Sequence, residues 1–397
     1  MYCNRSAQET LNARHSTFDV MDIQMVDLRG QYLAIKEEID DAIAEVLGAA
    51  RFIKGPVVGK LECELAGYMD GSYALGVGNG TDALQIAFMA LGIGPDDEVI
   101  TPAFTFIATA EAAALLGATP VFADIDPQTF NLDPDRVEEL ITPRTKAIVP
   151  VHLFGQSADM DPFLEIGRRH GLPVIEDNAQ AIGATYKGRK IGFLGTVGTL
   201  SFFPAKNLGA YGDGGAVLTN DEALYERMKM ITNHGGRHKY YNEIVGINSR
   251  LDALQAAILR VKLRHLDAFI EARRQAADRY DALFADSDHI TTPHRAPYAQ
   301  HTFHQYTLRI ARGRDAVQAH LKAKGIPHGV YYPVPLHQLP VFAEPGAMRC
   351  GPLPETETAA AEVISLPMHT ELTAAQQAYI AEAVLEGVEQ TLPEANQ

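Results

Sequence analysis

A single lysine stands between a short apolar run and a glycine-rich stretch. Lys206 lies in "SFFPAKNLGAYGDGGAVLTN" (residues 201–220), and the next cation along the chain is Arg227. An amine that is partly removed from water just past a buried strand has a lowered pKa and can act as a Schiff-base nucleophile. The alternative is a solvated surface charge, the usual state of a lysine. Position alone leaves both interpretations open.

Two adjacent carboxylates end another apolar run. In "LPVIEDNAQ" (residues 172–180), Glu176 and Asp177 are expected on opposite faces of a strand, so one of them faces the crevice at the strand end. A carboxylate at that depth needs a cationic partner. For Asp177, the functional interpretation is a partner for the protonated pyridine nitrogen of pyridoxal 5'-phosphate (PLP). The alternative is a structural ion pair or a helix N-cap.

A phosphate group would need hydrogen-bond donors, and the segment "GVGNGTDALQ" (residues 76–85) offers them. Gly80 and Thr81 lie where a strand gives way to a helix, so free backbone N–H groups and the helix dipole can meet an anion. The spacing G-x-G-x-G differs from the G-x-G-x-x-G of dinucleotide-binding folds. Ser201 is a further candidate donor; the alternative is a buried hydroxyl that is satisfied locally.

One aromatic residue is placed to contact a flat ring. Phe106, in "TPAFTFIATA" (residues 101–110), follows a predicted strand, so its ring could lie on a planar cofactor. The alternative is an ordinary core phenylalanine.

The elements that must position these side chains follow an alternating pattern. From Tyr73, seven short β-rich runs alternate with helical ones, which predicts an α/β domain with a mostly parallel seven-stranded sheet flanked by helices. Ligands of such sheets bind at the carboxyl ends of the strands, where the candidate residues lie. After a long helical stretch (251–285) the pattern becomes α+β. We therefore predict a flexible arm (1–20), a large domain (21–265) and a small C-terminal domain (266–397).

Composition narrows the class of protein. The chain has 50 Asp and Glu against 34 Lys and Arg, which argues against a nucleic-acid partner and against an anionic membrane surface. No apolar run reaches the roughly 20 residues that a membrane helix needs. The start of the chain lacks a signal-peptide core, and the three cysteines suggest no disulfide framework, so a cytoplasmic location is expected.

Histidines offer little for a metal site. The segment "HTFH" holds His301 and His304 in a β-prone run, where a separation of three residues places side chains on opposite faces. No carboxylate or cysteine pair completes a ligand set there. No structural metal is expected.

The order of the motifs resembles a known family. The segments "GNGTDAL", "TPAFTFIATA", "VIEDNAQAIGA", "SFFPAKNLGAYGDGGAVLTN" and "GINSRLDALQAA" together resemble the DegT-type nucleotide-sugar aminotransferases. The resemblance runs from about residue 21 to beyond residue 342, nearly the whole chain. It implies the aspartate-aminotransferase fold (PLP fold type I), the cofactor PLP and transamination.

The resemblance also implies a role for each candidate residue. Lys206 would join PLP covalently, Asp177 would bind its ring nitrogen, and Phe106 would take the stacking place that Trp or Tyr often holds. Gln180 would approach the ring or its 3-hydroxyl. The residues that would hold the phosphate are Gly80, Thr81, Ser201 and, from a neighbouring subunit, Asn248. The active site would then require a homodimer.

Within the family, the chain most resembles enzymes that aminate C3 of UDP-2-acetamido-2-deoxy-3-oxo-glucuronate for bacterial surface polysaccharides such as O-antigen, with L-glutamate as the expected amino donor. Arg250 could bind the substrate carboxylate, or it could pair with a surface acid such as Asp252. His337 resembles a family position near the sugar; the alternative is an exposed loop histidine. Three other functions stay open: a 4-keto sugar aminotransferase of the perosamine type, a PLP-binding regulatory protein with little turnover, and an NAD-dependent sugar-modifying enzyme.

Overall fold

The structure is a computed structural model that describes residues 22–391 of the 397-residue chain. The predicted N-terminal arm (1–20) lies outside the described residues. The α-helices in the described residues are α1 (Leu28–Ala34), α2 (Lys36–Ala49), α3 (Pro56–Tyr68), α4 (Gly80–Leu91), α5 (Ala108–Ala114), α6 (Met160–His170), α7 (Glu222–Ile231), α8 (Ala253–Phe284), α9 (Arg314–Ala323), α10 (Pro354–Glu362) and α11 (Ala374–Glu389).

The strands are short, and several have only two residues. They are β1 (Tyr73–Val77), β2 (Glu98–Pro102), β3 (Thr119–Ala123), β4 (Thr145–Ile148), β5 (Ile175–Asp177), β6 (Thr185–Tyr186), β7 (Arg189–Lys190), β8 (Val197–Ser201), β9 (Gly215–Thr219), β10 (Gly236–His238), β11 (Tyr241–Asn242), β12 (Ile290–Thr291), β13 (Ala299–Gln300), β14 (Tyr306–Ile310), β15 (Arg349–Cys350) and β16 (Val363–Leu366).

The central sheet has the spatial order β1-β9-β8-β5-β4-β2-β3, with the short β15 at the β3 edge. Parallel bridges from Ile148 to Val174 and from Val151 to Asp177 join its two halves. Only β9 runs antiparallel to its neighbours; the other pairings in this sheet are parallel. The sheet is therefore the mostly parallel seven-stranded one that the sequence predicts.

Apolar residues cover both faces of this sheet. In β9, Ala216 and Leu218 pack with α3 and α8, whereas Val217 packs with α4 and α7 on the other face. The alternation follows from the two-residue period of a strand, and a strand buried on both faces has a continuous apolar sequence. The helices packed on the two faces therefore fix the positions of the strand ends and of the loops that follow them.

The smaller α+β part has its own core. The antiparallel sheet β12-β14-β16 packs against α9 and α11. Helix α8 runs without a break through the predicted boundary at 265/266: its residues up to Ile270 pack with the large sheet, and those from Ala276 onward pack with the small one. The two-domain division stays a prediction.

None of the helices in residues 22–391 is long and apolar enough to cross a membrane.

Candidate active site

Lys206 lies in the connection between β8 and β9, at the carboxyl end of the sheet. Its backbone N–H donates to the carbonyl of Phe203 (2.8 Å), which turns the chain immediately after β8. Burial of the amine lowers the pKa of Lys206 to about 8, and the negative charge of Asp177 partly opposes this shift. Because neutral amines are nucleophiles and bases, the position favours both functions.

Asp177 ends β5 and is 4% exposed. Its Oδ2 accepts a hydrogen bond from the Thr109 hydroxyl (2.8 Å), and its Oδ1 accepts one from the Ala179 N–H (3.0 Å). The two bonds fix the plane of the carboxylate, and its charge reaches Lys206. The carboxylate is thus held in place for a cationic partner in the crevice.

The neighbouring carboxylate points to the other side of the strand. Glu176 is fully buried and accepts from the N–H groups of Gly192, Leu194 and Gly195 (2.7–2.8 Å). His152 Nε2 lies 3.2 Å from Glu176, and His152 Nδ1 accepts from the Ala158 N–H, so Nε2 carries the proton and donates. Strand alternation therefore gives Glu176 a structural role and directs Asp177 to the crevice, as predicted.

Gln180 and two aromatic rings lie beside Asp177. The side chain of Gln180 accepts from the Phe154 N–H (2.8 Å) and donates to the Tyr332 hydroxyl (2.9 Å). The ring of Phe106 lies 6.3 Å from that of Tyr332 and is 55% exposed, so Phe106 is not a core residue. An aromatic face open to the crevice fits the stacking role that the sequence predicts, which remains a prediction.

The candidate phosphate donors meet where α4 begins. Asn79 caps this helix by accepting from the Asp82 N–H (2.8 Å), and Gly80 and Thr81 form its first turn. A Cβ at Gly80 would lie 2.7 Å from Ser201 Cβ, so the backbone of α4 closely approaches the end of β8. This cradle of a helix N-terminus and a hydroxyl group offers donors for a phosphate, and together with the Lys206 amine and the Asp177 carboxylate it is a set of groups that fits PLP.

Gly80→Ala is expected to weaken PLP binding, since the added methyl group must displace Ser201. We expect the dissociation constant of PLP to rise on the order of tenfold, about 1.4 kcal/mol, in absorbance titrations of the apoprotein. The matched control is Gly48→Ala in α2, where a Cβ would meet nothing within 4 Å. Equal affinities in both variants would show that the cradle does not bind the phosphate.

Within residues 22–391, no hydrogen bond or ion pair joins Asn248, Arg250 or His337 to Lys206 or Asp177. Asn248 is exposed, and its backbone pairs with Asn233. Arg250 lines a separate cavity with Lys54, Glu62, Tyr225 and Lys229, whose lining residues do not include Lys206 or Asp177.

His337 is partly buried in a short 3₁₀ turn (Leu336–Gln338). Its Nε2 lies 3.2 Å from Glu357. The N–H of Leu336 donates to the carbonyl of Ala103 (2.9 Å), which fixes this turn near the end of β2. His337 is therefore not a freely exposed loop histidine, and its substrate role stays a prediction.

The sequence interpretation missed three side chains of the site. Thr109 lies in α5, three residues after Phe106. It belongs to the same segment, "TPAFTFIATA", which was the available sequence signal. Tyr332 had no sequence signal beyond its aromatic type. His304 was considered only as a metal ligand in a β-prone run, but residues 301–305 form a loop before β14, and its Nε2 lies 3.5 Å from the Lys206 amine.

The histidine, cysteine and carboxylate side chains do not cluster as metal ligands in the described part of the chain. Within residues 22–391, no group of three or more His, Cys, Asp or Glu side chains could hold a metal ion. The expectation of no structural metal stays a prediction.

Comparison with known proteins tests the resemblance. The model of the DegT/DnrJ/EryC1/StrS aminotransferase family matches residues 33–385. The "UDP-2-acetamido-2-deoxy-3-oxo-D-glucuronate aminotransferase" of Pseudomonas aeruginosa is 49% identical over 89% of this chain and 97% of its own length. A "Pleiotropic regulatory protein" of Geobacillus stearothermophilus is 53% identical over 92% of this chain and 98% of its own. Other relatives are named as dTDP-sugar transaminases and as a GDP-perosamine synthase.

Solved structures agree with the fold. DesV of S. venezuelae, solved in complex with a ketimine intermediate, superposes with a TM-score of 0.88 at 44% identity and covers 92% of this chain and 98% of its own. The aspartate-aminotransferase-like fold class and the family resemblance are therefore confirmed. This chain is a PLP-dependent sugar aminotransferase and belongs to the DegT/DnrJ/EryC1/StrS aminotransferase family.

Proposed function

We propose that the protein transfers an amino group from L-glutamate to a keto nucleotide sugar, with C3 of UDP-2-acetamido-2-deoxy-3-oxo-glucuronate as the acceptor, for bacterial surface polysaccharides such as O-antigen. The observation that carries transamination is the half-buried Lys206, whose amine has a pKa lowered to about 8, near the fixed carboxylate of Asp177. The relative of P. aeruginosa, 49% identical, supports the choice of acceptor.

In this proposal each side chain has a defined task. PLP, when bound, supplies the aldehyde that exchanges amino groups and a ring that accepts electrons. The Lys206 amine would hold the cofactor and, once free and neutral, would take a proton from the donor carbon and pass it to the cofactor carbon that carried the aldehyde. Asp177 would keep the ring nitrogen protonated, and Gln180 would approach the ring or its 3-hydroxyl. Gly80, Thr81 and Ser201 hold the phosphate, and Phe106 covers one face of the ring.

One of the remaining predicted residues, Asn248, enters through a second copy of the chain. Asn248 is exposed, which supports a contact with another subunit's site. We therefore include a homodimer in the proposal, with Asn248 at the partner's phosphate and Arg250 and His337 at the sugar. The division into a PLP-binding domain (21–265) and a small domain (266–397), and a cytoplasmic location, are further parts of it.

Two alternatives have specific support. The relative named as a pleiotropic regulatory protein favours a PLP-binding regulator, and the GDP-perosamine synthase favours a 4-keto acceptor. The regulator predicts a bound chromophore that L-glutamate cannot discharge. The 4-keto enzyme predicts discharge by glutamate and a different preference for the sugar.

The test has two stages. The absorption spectrum of the protein with PLP is recorded before and after L-glutamate; the visible band is expected to bleach. The reverse reaction is then followed with 2-oxoglutarate and a panel of amino sugars linked to UDP, dTDP and GDP, and glutamate is measured. Preference for the UDP-linked 3-amino glucuronate supports the proposal, whereas preference for GDP-perosamine supports the 4-keto alternative. A band unaffected by glutamate or any amino sugar overturns both.

A further inference from the structure

Within the described residues, the side chain of His304 lies within hydrogen-bond distance of the Lys206 amine. Its Nε2 lies 3.5 Å from Lys206 Nζ, and the residue is 6% exposed. His304 lies in the loop between β13 and β14, far from Lys206 in sequence. The two side chains therefore meet only through the tertiary fold.

The backbone around His304 is held by a buried arginine. Arg273 of α8 is 2% exposed, and its Nη1 donates to the carbonyls of Phe303 (3.1 Å), His304 (3.4 Å) and Met368 (3.0 Å). Burial, together with the positive charges of Lys206 and Arg273, holds the pKa of His304 well below its usual value. The imidazole is therefore neutral near pH 7 and carries one ring proton.

The position of that proton follows from the partners of the two nitrogens. Within residues 22–391, His304 Nδ1 is buried without a hydrogen-bond partner, whereas Nε2 faces Lys206. Buried N–H groups without acceptors are rarer than under-satisfied acceptors. The proton therefore belongs on Nε2, where it can be donated to the lone pair of an unprotonated amine.

We propose that His304 is a positioning residue for transamination, donating its Nε2–H to the amine of Lys206 whenever that amine is neutral and not bonded to PLP. The donated hydrogen bond stabilises the neutral form of the Lys206 amine and orients its lone pair. The amine can then accept a proton or form its covalent bond to PLP again. The inference rests on the proposed role of Lys206. Its test uses the apoprotein and needs no amino donor or sugar.

The test measures the pKa of Lys206 in the apoprotein by competitive acylation at several pH values, with the Lys206 peptide quantified by mass spectrometry. His304→Leu removes the donor and keeps the site apolar. We expect the pKa of Lys206 to rise by about 0.5–1 unit, the size of one net hydrogen bond. His304→Gln, which retains an N–H donor, is expected to restore most of the original value.

The direction of the change in the pKa of Lys206 distinguishes this inference from simple desolvation. If His304 only shielded Lys206 from water, the more apolar leucine would lower the pKa of Lys206 or leave it unchanged, and either result overturns the inference. Equal shifts in the Leu and Gln variants overturn it as well. Among the described residues, the other charged groups that act on the pair are Asp177 of β5 and Arg273 of α8, and both are kept. Asp177→Asn serves as a calibration, since loss of the anion must lower the pKa of Lys206.

A second measurement does not depend on whether the His304→Leu variant folds. Nitrogen-15 NMR of histidine-labelled apoprotein distinguishes the two neutral tautomers, and His304→Gln identifies the signal. Above about pH 8, where Lys206 becomes neutral, a proton on Nε2 is expected, and a proton on Nδ1 there overturns the inference. A glutamate half-reaction that fails while the pKa and tautomer results hold would reject the proposed donor and leave the role of His304 intact.

Discussion

Lys206→Ala is expected to abolish transamination, with turnover reduced by about 10³-fold or more, because the covalent anchor of PLP and the base are lost together. PLP should still bind loosely through the phosphate cradle and Asp177. The measurement is the rate at which L-glutamate bleaches the visible band, combined with mass spectrometry after borohydride reduction. Appreciable turnover in this variant would refute the assignment of Lys206.

Lys262 provides a matched control for burial. This second buried lysine, on α8, donates to the carbonyl of Gly209 (2.7 Å), and burial, aided by Arg273, lowers its pKa to about 8. A low pKa is thus not sufficient for catalysis. Lys262→Met should lose stability but keep PLP attached at Lys206, whereas loss of that attachment would contradict the separate roles given to the two lysines.

The pH dependence of cofactor attachment follows from the lowered pKa of Lys206. An ordinary lysine becomes mostly neutral only above pH 10.5, whereas Lys206 in the apoprotein does so above about pH 8. The rate at which PLP attaches to the apoprotein should therefore rise with pH and level off above about 8.

Asp177→Asn is expected to reduce turnover on the order of 10²- to 10³-fold, the usual effect of removing one preorganised charged group. An amide cannot balance the positive charge on a protonated ring nitrogen. The folded state should lose only about 1 kcal/mol, since one of the two hydrogen bonds to Thr109 and Ala179 is weakened. The measurements are the single-turnover rate with glutamate and the thermal unfolding temperature of the apoprotein.

Glu176→Gln is the companion variant, because the two carboxylates are adjacent and face opposite ways. Glu176 accepts from three backbone N–H groups and from His152, so loss of its charge is expected to lower the free energy of unfolding by about 3 kcal/mol. PLP binding should be retained. If Glu176→Gln lost turnover without losing stability, the division of roles within β5 would be wrong.

Local sequence patterns were enough to predict the strands and helices and to single out Lys206 and Asp177. Apolar runs of strand length and helical runs between them predict the sheet, and strand alternation separates Asp177 from Glu176, because both patterns depend on local backbone geometry. Lys206, Gly80 and Ser201 are recognisable from the motifs that surround them. The approach of α4 to the end of β8 also follows from placing these motifs at one end of a parallel sheet.

The side chains that join the site from distant segments could be identified only from the packing of the whole fold. His304 and Tyr332 come from loops outside the β–α pattern, and they reach Lys206 and Gln180 because α8 and the small sheet carry those loops back to the strand ends. The cavity beside Arg250 likewise depends on how α3 and α7 meet. A sequence pattern reports the face and period of a segment, but the distance between two loops depends on packing of the whole core, which no local pattern contains.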